Sequence, residues 1–506
     1  MGEAILDLYT SIVPNRQQQL FCKDAFHAFF HYGMTTFTEK EWGDGKTPVE
    51  TFDPGDQDTD EWVRTVKDAG AKGCILTCKH HDGFCLWPTK TTEYSIKNSP
   101  YKNGQGDVVR EVAESCKKYG MKFGVYLSPW DRNSEYYGTP KYNDFYIEQL
   151  KELLTGYGDL FCVWLDGACG SYMDGKEKQV YDFDRIYATV REYQPDCAIS
   201  NCGPDIRWVG NEGGYARKSE WNVVPKFSFN LQTIADNSQQ EADSKFRKKG
   251  ADVISSDLGS REFLSNYNEF IWYPAEVDVS IRPGWFYHKK EDRKVRSLSN
   301  LLTIYYNSVG GNSLLLLNVP PNREGRLAPG DIQRLHELGE EIRKGTAEKI
   351  KVKAFSAPPA KEEMSFQPCL NRSGTYSPAY EAGEYEFKLK FAAPARIDKV
   401  LIEEDTDFSQ RIESFDVYAR KDGREVRVYS GTTVGFRRFA VFKRPVEADG
   451  LRLVITSCRK EPYLKNFCVY AAGGKLPKPA WYAPLIQMGH KINYMLFVAM
   501  ENIKNK

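Results

Sequence analysis

Strand and helix signals alternate along the first two thirds of the chain, and this alternation limits the fold more than any other feature. Short apolar runs bounded by turn formers predict buried strands, and apolar residues spaced three or four apart predict helices. Residues 59–69 show the helical pattern with Gly70 as the stop, and residues 71–81 form the next strand. Repeated β–α units over about 340 residues are typical of a (β/α)8 TIM-like barrel.

The remaining strands of this barrel are predicted from further short apolar segments. They lie near residues 26–32, 121–128, 160–165, 198–202, 220–224, 276–282 and 313–319. A doubly wound open sheet is the alternative α/β fold for such a pattern. It is less favoured because the chain lacks the glycine-rich nucleotide loop of that fold.

A second domain is predicted after a change of composition near residues 354–368, where Pro, Ala, Ser and Lys suggest a linker. Short alternating strands then favour a β-sandwich. These strands are predicted at residues 385–391, 399–404, 414–419, 437–442 and 451–456. The predicted domains are a barrel over 1–350, a β-sandwich over 351–474 and a C-terminal extension over 475–506. The extension is interpreted either as a helix that docks on one of the two domains or as a tail that is disordered when it has no partner.

Charge and hydropathy exclude several classes of partner. The chain has 69 basic and 69 acidic residues and no long basic run, which argues against nucleic acid. No apolar stretch reaches the roughly 18 residues of a membrane span. The N-terminus shows no signal peptide, which favours a cytoplasmic protein, or a periplasmic or secreted one whose signal was removed. The oligomeric state is not predicted.

The 12 cysteines are scattered without the close spacing of small secreted domains, so they are expected to be reduced. The pair His80-His81 lies near Cys78 and Cys85, but this spacing matches no standard zinc pattern. Neither a metal nor a cofactor is therefore predicted. Aromatic residues make up 13% of the chain, which suits either sugar binding or a large aromatic core.

The apolar run at residues 160–165 leads directly into Asp166 and Gly167. Alternation along a strand places Cys162, Trp164 and Asp166 on one face. A carboxylate at the C-terminal end of a barrel strand lies where barrel enzymes carry catalytic residues. The alternative is a buried structural carboxylate that bonds to Arg or to backbone.

Two adjacent histidines on one strand point to opposite faces, so His80 and His81 can reach one site only from beyond the strand end. With His31 they would add polar groups to the same mouth, as a polyhydroxylated ligand requires. Sugar hydrolysis on such a barrel needs a second carboxylate besides Asp166. The pattern leaves four candidates open: Glu212, Glu220, Glu276 and Asp278.

Five short motifs together resemble the alpha-L-fucosidases of glycoside hydrolase family 29. They are His-Tyr-Gly (31–33), Glu-Trp (41–42), Lys-His-His-Asp-Gly-Phe (79–84), Trp-Leu-Asp-Gly (164–167) and Gly-Asn-Glu (210–212). The likeness covers residues from about 20 to 345. The segments Ser-Glu-Trp (219–221) and 276–288 resemble the subgroup that acts on α-1,3/1,4-linked fucose of branched glycans. The predicted sandwich resembles, less specifically, a discoidin-like carbohydrate-binding module; its alternative role is a structural support.

The resemblance implies an exo-acting retaining enzyme that cleaves fucosylated oligosaccharides or glycoconjugates through a covalent fucosyl-enzyme. Asp166 would be the nucleophile and Glu212 the acid/base. The residues that would bind fucose are His31, Glu41, Trp42, His80, His81, Tyr126 and Trp164. Asp278 and Trp285 are expected on the aglycone side. The family's arginine between nucleophile and acid/base is not assigned to Arg207, because its local motif differs.

Two other functions remain open from the sequence. One is a different retaining exo-glycosidase on the same barrel, such as a galactosidase, or a fucosidase of broad specificity. The other is an inactive, lectin-like protein that binds glycans. The presence of both Asp166 and Glu212 argues against the inactive protein.

Overall fold

The computed structural model describes residues 3–168, 179–226, 257–380 and 383–477. Ten strands occur in the described residues up to 345. In chain order they are β1 Phe26–Phe30, β2 Gly73–Lys79, β3 Lys122–Leu127, β4 Leu160–Leu165, β5 Ala198–Asn201, β6 Ile206–Trp208, β7 Val223–Pro225, β8 Phe270–Trp272, β9 Ala275–Ser280 and β10 Leu314–Asn318. All except β7 and β8 form a closed parallel barrel in the order β1-β10-β9-β6-β5-β4-β3-β2.

The α-helices of the described residues surround or flank this barrel. They are α1 Glu3–Ser11, α2 Arg16–Asp24, α3 Met34–Thr38, α4 Thr59–Ala69, α5 Val108–Tyr119, α6 Lys141–Gly156, α7 Phe183–Tyr193, α8 Arg261–Leu264, α9 Leu298–Ser308 and α10 Pro329–Gly345. Asp107 caps α5 by accepting the Arg110 backbone N–H at 2.9 Å, which satisfies one of the free donors at the helix start.

Barrel closure decides between the two α/β folds. The last strand pairs with the first over Phe26↔Leu315 to Phe29↔Asn318, so the sheet has no free edge. A doubly wound open sheet is therefore excluded, and the expected barrel is confirmed.

One predicted barrel strand was wrong. The 220–224 segment was expected in the barrel, but β7 instead pairs with β8 in a separate two-stranded antiparallel sheet. The sixth barrel position belongs to β6, which is too short to show a period-2 pattern. Only residues 202–205 separate β5 from β6, so no helix lies between them to mark the strand. The chain thus departs from a regular (β/α)8 repeat at this point.

Large side chains fill the barrel interior. Trp164 from β4 stacks on Tyr126 from β3, with ring centroids 5.5 Å apart, and Phe29 from β1 packs edge-on against Trp164 at 5.4 Å. These strands are buried along almost their whole length, as expected where helices cover the outside of a parallel barrel. The packed interior leaves the C-terminal ends of the strands as the open face.

The second part of the chain forms an antiparallel β-domain. Its strands are β11 Val352–Ser356, β12 Tyr385–Glu404, β13 Ile412–Lys421, β14 Arg424–Gly431, β15 Arg438–Cys458 and β16 Leu464–Ala471. The predicted strands at 385–391 and 399–404 are one long strand, as are those at 437–442 and 451–456. Strand β11 begins just before the expected linker and runs into it. Both halves of β12 contribute to one apolar core, which includes Phe387, Leu389, Val400 and Ile402.

This β-domain packs directly on the barrel. Phe439 and Leu401 join the apolar core of the barrel, and the Phe439 backbone N–H donates to the Gly310 carbonyl at 2.8 Å. The Arg261 guanidinium binds the Glu413 carboxylate with two hydrogen bonds of 2.7 Å. The domain boundaries at 350 and 474 stay predictions, and most of the expected extension, 478–506, lies outside the described residues.

The eleven described cysteines form no disulfide, in agreement with the expected reduced thiols. No helix in the described ranges is long and apolar enough to span a membrane.

Candidate active site

Asp166 lies at the mouth of the barrel, immediately after β4. Its Oδ2 accepts the Tyr126 hydroxyl at 2.9 Å, and its Oδ1 accepts the Ala168 backbone N–H at 2.8 Å. The side chain is 23% exposed, so it also faces the open mouth. Hydrogen bonds to a carboxylate favour its ionised form. Asp166 is therefore held by two donors with one side left open to a ligand.

Tyr126 reaches Asp166 because alternation along β3 turns its ring into the barrel. Burial, followed by the charge of Asp166, raises the pKa of the Tyr126 phenol well above its usual range. The phenol therefore stays protonated and donates. The Trp164 ring supports it from below, and the Trp164 indole N–H donates to Glu276 Oε1 at 2.8 Å.

The two adjacent histidines reach the same mouth because β2 ends at Lys79, just before them. Their ring centroids are 4.0 Å apart, so the two side chains lie together beyond the strand end, as a shared site requires. The His80 ring also stacks on Tyr126 at 5.9 Å. Burial lowers the pKa of both imidazoles, that of His81 to about 4, so both are neutral at pH 7.

The hydrogen bonds of His81 fix its tautomer. Ser128 Oγ donates to the Trp130 carbonyl at 2.7 Å and so accepts from His81 Nδ1, also at 2.7 Å. In a neutral ring with the proton on Nδ1, Nε2 carries a lone pair. That Nε2 lies 3.8 Å from Asp166 Oδ2. Two acceptors therefore face each other, and one ligand hydroxyl can donate between them.

His31 is held in the same way. Its Nδ1 donates to Asn318 Oδ1 at 2.9 Å, and the Asn318 amide donates to the Trp285 carbonyl at 2.7 Å, which fixes the amide orientation. Burial lowers the pKa of His31 to about 3. The neutral ring again leaves Nε2 as a hydrogen-bond acceptor. Asn318 was missed from the sequence, although it is a polar residue at the end of barrel strand β10, the signal used for Asp166.

Glu212 lies in the loop after β6 at the barrel mouth, where the residue is accessible to a ligand although neighbouring side chains surround its carboxyl group. Its surroundings disfavour the charged form: loss of hydration and then the charge of Asp166 raise the pKa of Glu212 to about 7. Glu41 adds to this effect, whereas a hydrogen bond from the Trp285 indole N–H, at 3.3 Å, opposes it. Asp166 and Glu212 are thus close enough to interact electrostatically.

A loop that carries Trp285 closes one side of the mouth. Glu41 holds this loop, because its Oε2 accepts the Trp285 backbone N–H at 2.8 Å and its Oε1 lies 2.5 Å from His288 Nε2. Gly284 permits this approach, since a Cβ there would lie 2.3 Å from Glu41 Oε1. Trp285 also packs on His31 at 4.9 Å. Both oxygens of Glu41 contact protein, and its expected contact with the sugar stays a prediction.

Trp42 lies beside His81 at the mouth and is 37% exposed. Its ring meets Trp130 edge-on at 5.6 Å and His81 at 6.1 Å. A partly exposed indole in this position can cover one face of a ring-shaped ligand.

Asp278 and Glu276 both point into the barrel from β9. Asp278 is 4% exposed and accepts the Trp208 indole N–H at 2.8 Å. Burial, with the charges of Glu212 and Glu276, raises the pKa of Asp278 well above its usual range. Trp208 was missed because β6 was missed. Asp278 therefore holds an indole in place, and its expected position on the aglycone side stays a prediction.

Glu220 has a different environment from Glu212. It is fully buried, binds Arg207 in a short ion pair and lies 3.2 Å from Arg217 Nη1. Although burial alone would raise it, the pKa of Glu220 is lowered by the two arginines. Arg207 also donates to the Tyr273 carbonyl at 2.8 Å and so is part of the protein interior. Glu220 and Arg207 therefore form a buried ion pair.

The side chains at the mouth are of the types that glycoside transfer uses. Within the described ranges, no three His, Cys, Asp or Glu side chains are grouped to hold a metal ion. The mouth combines a hydrogen-bonded carboxylate, a carboxyl group whose pKa is raised to about 7, neutral imidazole acceptors and indole surfaces.

Comparison with known proteins identifies the family. The alpha-L-fucosidase family model matches residues 14–345. The chain is 39% identical to alpha-L-fucosidase 1 of Arabidopsis thaliana over 469 residues, covering 90% of this chain and 87% of that protein. The chain belongs to the alpha-L-fucosidase family. This fucosidase-family chain is thus a glycoside hydrolase, as its motifs implied.

Solved fucosidase structures share the fold of the chain. A putative alpha-L-fucosidase from Bacteroides ovatus superposes with a TM-score of 0.81 at 42% identity, covering 95% of this chain and 78% of the other. A Ruminococcus gnavus GH29 fucosidase in complex with fucose gives a TM-score of 0.78 at 30% identity, covering 91% and 95%. The shared fold extends over the barrel and most of the β-domain.

Proposed function

We propose that this protein is an exo-acting, retaining alpha-L-fucosidase in which Asp166 is the nucleophile and Glu212 the acid/base. The observation that carries the proposal is the difference between two carboxyl groups at one mouth. Asp166 accepts two hydrogen bonds, whereas the pKa of Glu212 is raised to about 7, partly by the charge of Asp166. Environments that separate two carboxyl groups in this way assign one as nucleophile and the other as acid.

The reaction then proceeds in two displacements. Asp166 forms a bond to the anomeric carbon while the bond to the leaving oxygen breaks, and Glu212 gives its proton to that oxygen. In the second step Glu212 takes a proton from water, the water oxygen attacks the anomeric carbon, and Asp166 leaves as a carboxylate. The first product anomer should therefore be α-L-fucose, which proton NMR during the first minutes of hydrolysis detects. Initial formation of the β anomer would contradict retention.

Fucose recognition follows from the acceptors and apolar surfaces of the mouth. His31 and His81 each present Nε2 as an acceptor, which suits sugar hydroxyls. His80 and Tyr126 form the adjoining aromatic surface, and Trp164 lies behind them. Trp42 offers an exposed indole that can cover an apolar sugar face or the C6 methyl group. Glu41 contributes by holding Trp285 in place.

For the leaving group we propose a branched glycan with α-1,3- or α-1,4-linked fucose. Support comes from the segments 219–221 and 276–288, which resemble the subgroup with that specificity. Trp285 donates to Glu212, the group that would protonate the leaving oxygen, so it lies on the aglycone side. Trp208, which Asp278 orients, adds a second indole near this side. Indole surfaces favour a second sugar ring packed against the first.

The specificity experiment compares initial rates on a branched Lewis-type trisaccharide with those on a linear α-1,2-fucoside. We expect clear preference for the branched substrate. Equal rates, or preference for the linear one, would contradict the proposed linkage while leaving the fucosidase activity in place. An aryl α-L-fucoside and an aryl galactoside, measured in parallel, test the sugar itself; turnover of the galactoside alone would contradict the whole proposal.

A further inference from the structure

Glu276 joins three barrel strands through one carboxyl oxygen. From β9 its Oε1 accepts the Trp164 indole N–H of β4 at 2.8 Å and the Ser200 hydroxyl of β5 at 3.0 Å. The residue is 2% exposed, and its second oxygen, Oε2, is buried without a hydrogen-bond partner among the described residues. The fold therefore keeps a carboxyl group in the barrel interior although part of it is unsatisfied, which costs stability.

The ring that Glu276 holds is next to the nucleophile. Trp164 stacks on Tyr126 with an interplanar angle of 23°, and the Tyr126 hydroxyl donates to Asp166 Oδ2 at 2.9 Å. The order of contacts is thus Glu276, Trp164, Tyr126, Asp166. The link from Glu276 to Trp164 is a directional hydrogen bond, which fixes the rotation of the indole in its plane.

We propose that Glu276 is a positioning residue of the catalytic site, which fixes Trp164 and through it the Tyr126 hydroxyl that orients Asp166. The inference rests on the proposed function, since it concerns the orientation of the nucleophile. Glu276 itself is too deeply buried to contact the substrate. Its effect should therefore appear in the rate of the chemical step more than in the binding of fucose.

The protonation state of Glu276 indicates which variant preserves its role. Burial raises the pKa of Glu276 to about 7, despite the hydrogen bonds from Trp164 and Ser200, which lower it. Glutamine has the same shape and keeps a carbonyl oxygen that accepts both hydrogen bonds. Leucine fills a similar volume without an acceptor. The pair Glu276→Gln and Glu276→Leu therefore separates hydrogen bonding from packing.

The first measurement compares kcat on an aryl α-L-fucoside with the inhibition constant of free fucose. For Glu276→Leu we expect kcat to fall by about 10- to 100-fold, as small misplacements of reacting groups do. The fucose constant should change less than about threefold, and Glu276→Gln should restore most of kcat. Ser200→Ala, which removes the other bond to the same oxygen, is the matched control and should retain kcat within about threefold.

A double-mutant cycle with Trp164→Phe tests the path of the effect. Phenylalanine keeps an aromatic ring against Tyr126 but lacks the indole N–H, so Glu276→Leu should cost little more in that background. Additive losses of kcat would overturn the proposal. So would an unchanged kcat in Glu276→Leu, parallel losses in kcat and fucose binding, a control as impaired as Glu276→Leu, or failure of Glu276→Gln to restore kcat.

Failure of the underlying function is recognised separately with Asp166→Ala. If that variant turns over the aryl fucoside at the rate of the parent protein, Asp166 is not the nucleophile, and the positioning role of Glu276 is then wrong as well. If Asp166→Ala is inactive while Glu276→Leu turns over at the parent rate, only the positioning role is wrong.

Discussion

The Trp285 indole N–H donates to Glu212 Oε2 at 3.3 Å, while its backbone N–H donates to Glu41 Oε2 at 2.8 Å. One residue thus links the loop at the barrel mouth to the proposed acid/base. The bond to Glu212 favours the carboxylate, whereas loss of hydration around the carboxyl group and the charge of Asp166 favour the acid. The balance of these effects brings the pKa of Glu212 to about 7.

The pH profile should follow this balance. Glu212 must be protonated to release the leaving group, so kcat/KM should fall as the pH rises through about 7. Trp285→Phe removes a hydrogen bond that favours the charged form. The pKa of Glu212 should then rise, and the alkaline limb of the kcat/KM profile should move to higher pH. A limb that moves to lower pH, or does not move, would contradict this role of Trp285.

Tyr126→Phe removes the hydroxyl that orients Asp166 but keeps the ring on Trp164. We expect kcat on an aryl α-L-fucoside to fall by up to roughly 100-fold, because the nucleophile is then no longer held in its reactive position. The thermal midpoint should stay close to that of the parent, because the ring packing is preserved. A clear drop of the thermal midpoint together with the loss of kcat would indicate that the hydroxyl has only a structural role.

Glu212 and Glu220 should respond differently to removal. Glu220→Ala leaves Arg207 buried without its carboxylate, so the free energy of unfolding should fall by about 3–5 kcal/mol. Glu212→Ala should leave stability nearly unchanged and lose far more rate on substrates with poor leaving groups than on activated aryl fucosides. Denaturant unfolding and a leaving-group series on both variants make the comparison. The reverse pattern would identify Glu220 as the acid/base.

Asp82, next to His81, should make stability depend on pH. Burial raises the pKa of Asp82 from 3.8 to about 7, and its Oδ2 has no hydrogen-bond partner among the described residues. The folded state therefore holds the proton more tightly than the unfolded state. The contribution of this proton to the free energy of unfolding is complete below about pH 4 and is lost as the pH rises to about 7.

Asp82→Asn should remove this loss, so it should raise the thermal midpoint more at pH 8 than at pH 4. The matched control is Asp56→Asn, because the Asp56 side chain is 77% exposed. The control should change the midpoint little at either pH. An equal effect of Asp82→Asn at both pH values would show that burial does not perturb this carboxyl.

The sequence predicted those parts of the fold that depend on long regular patterns. Helix α4 was predicted with its observed bounds, because its apolar stripe and the stop at Gly70 are local signals. The β6 strand was missed because three residues carry no periodicity, and the long strands β12 and β15 were each divided at an irregular pairing region. Strand pairing is set by contacts far apart in sequence, which composition does not record.

The candidate site was predicted in residue type more than in role. Asp166, His80 and His81 could be placed at the mouth because strand ends are visible in the sequence. The hydrogen bonds of Glu41 with Trp285 and His288 could not be predicted, since Glu41 is more than 240 positions away from both residues in the sequence. The ion pair of Glu220 with Arg207 could not be predicted either, because only the folded chain shows that the environments of Glu220 and Glu212 differ.

The role of Asp166 as nucleophile is tested most directly by the reaction of Asp166→Gly with an aryl α-L-fucoside in the presence of azide. Removal of the nucleophile should abolish turnover, and azide in the vacated space should restore part of the rate. The product should be β-L-fucosyl azide, because azide attacks the face that Asp166 attacks in the parent. An undiminished rate without azide, or an azide product of α configuration, would contradict Asp166 as the nucleophile.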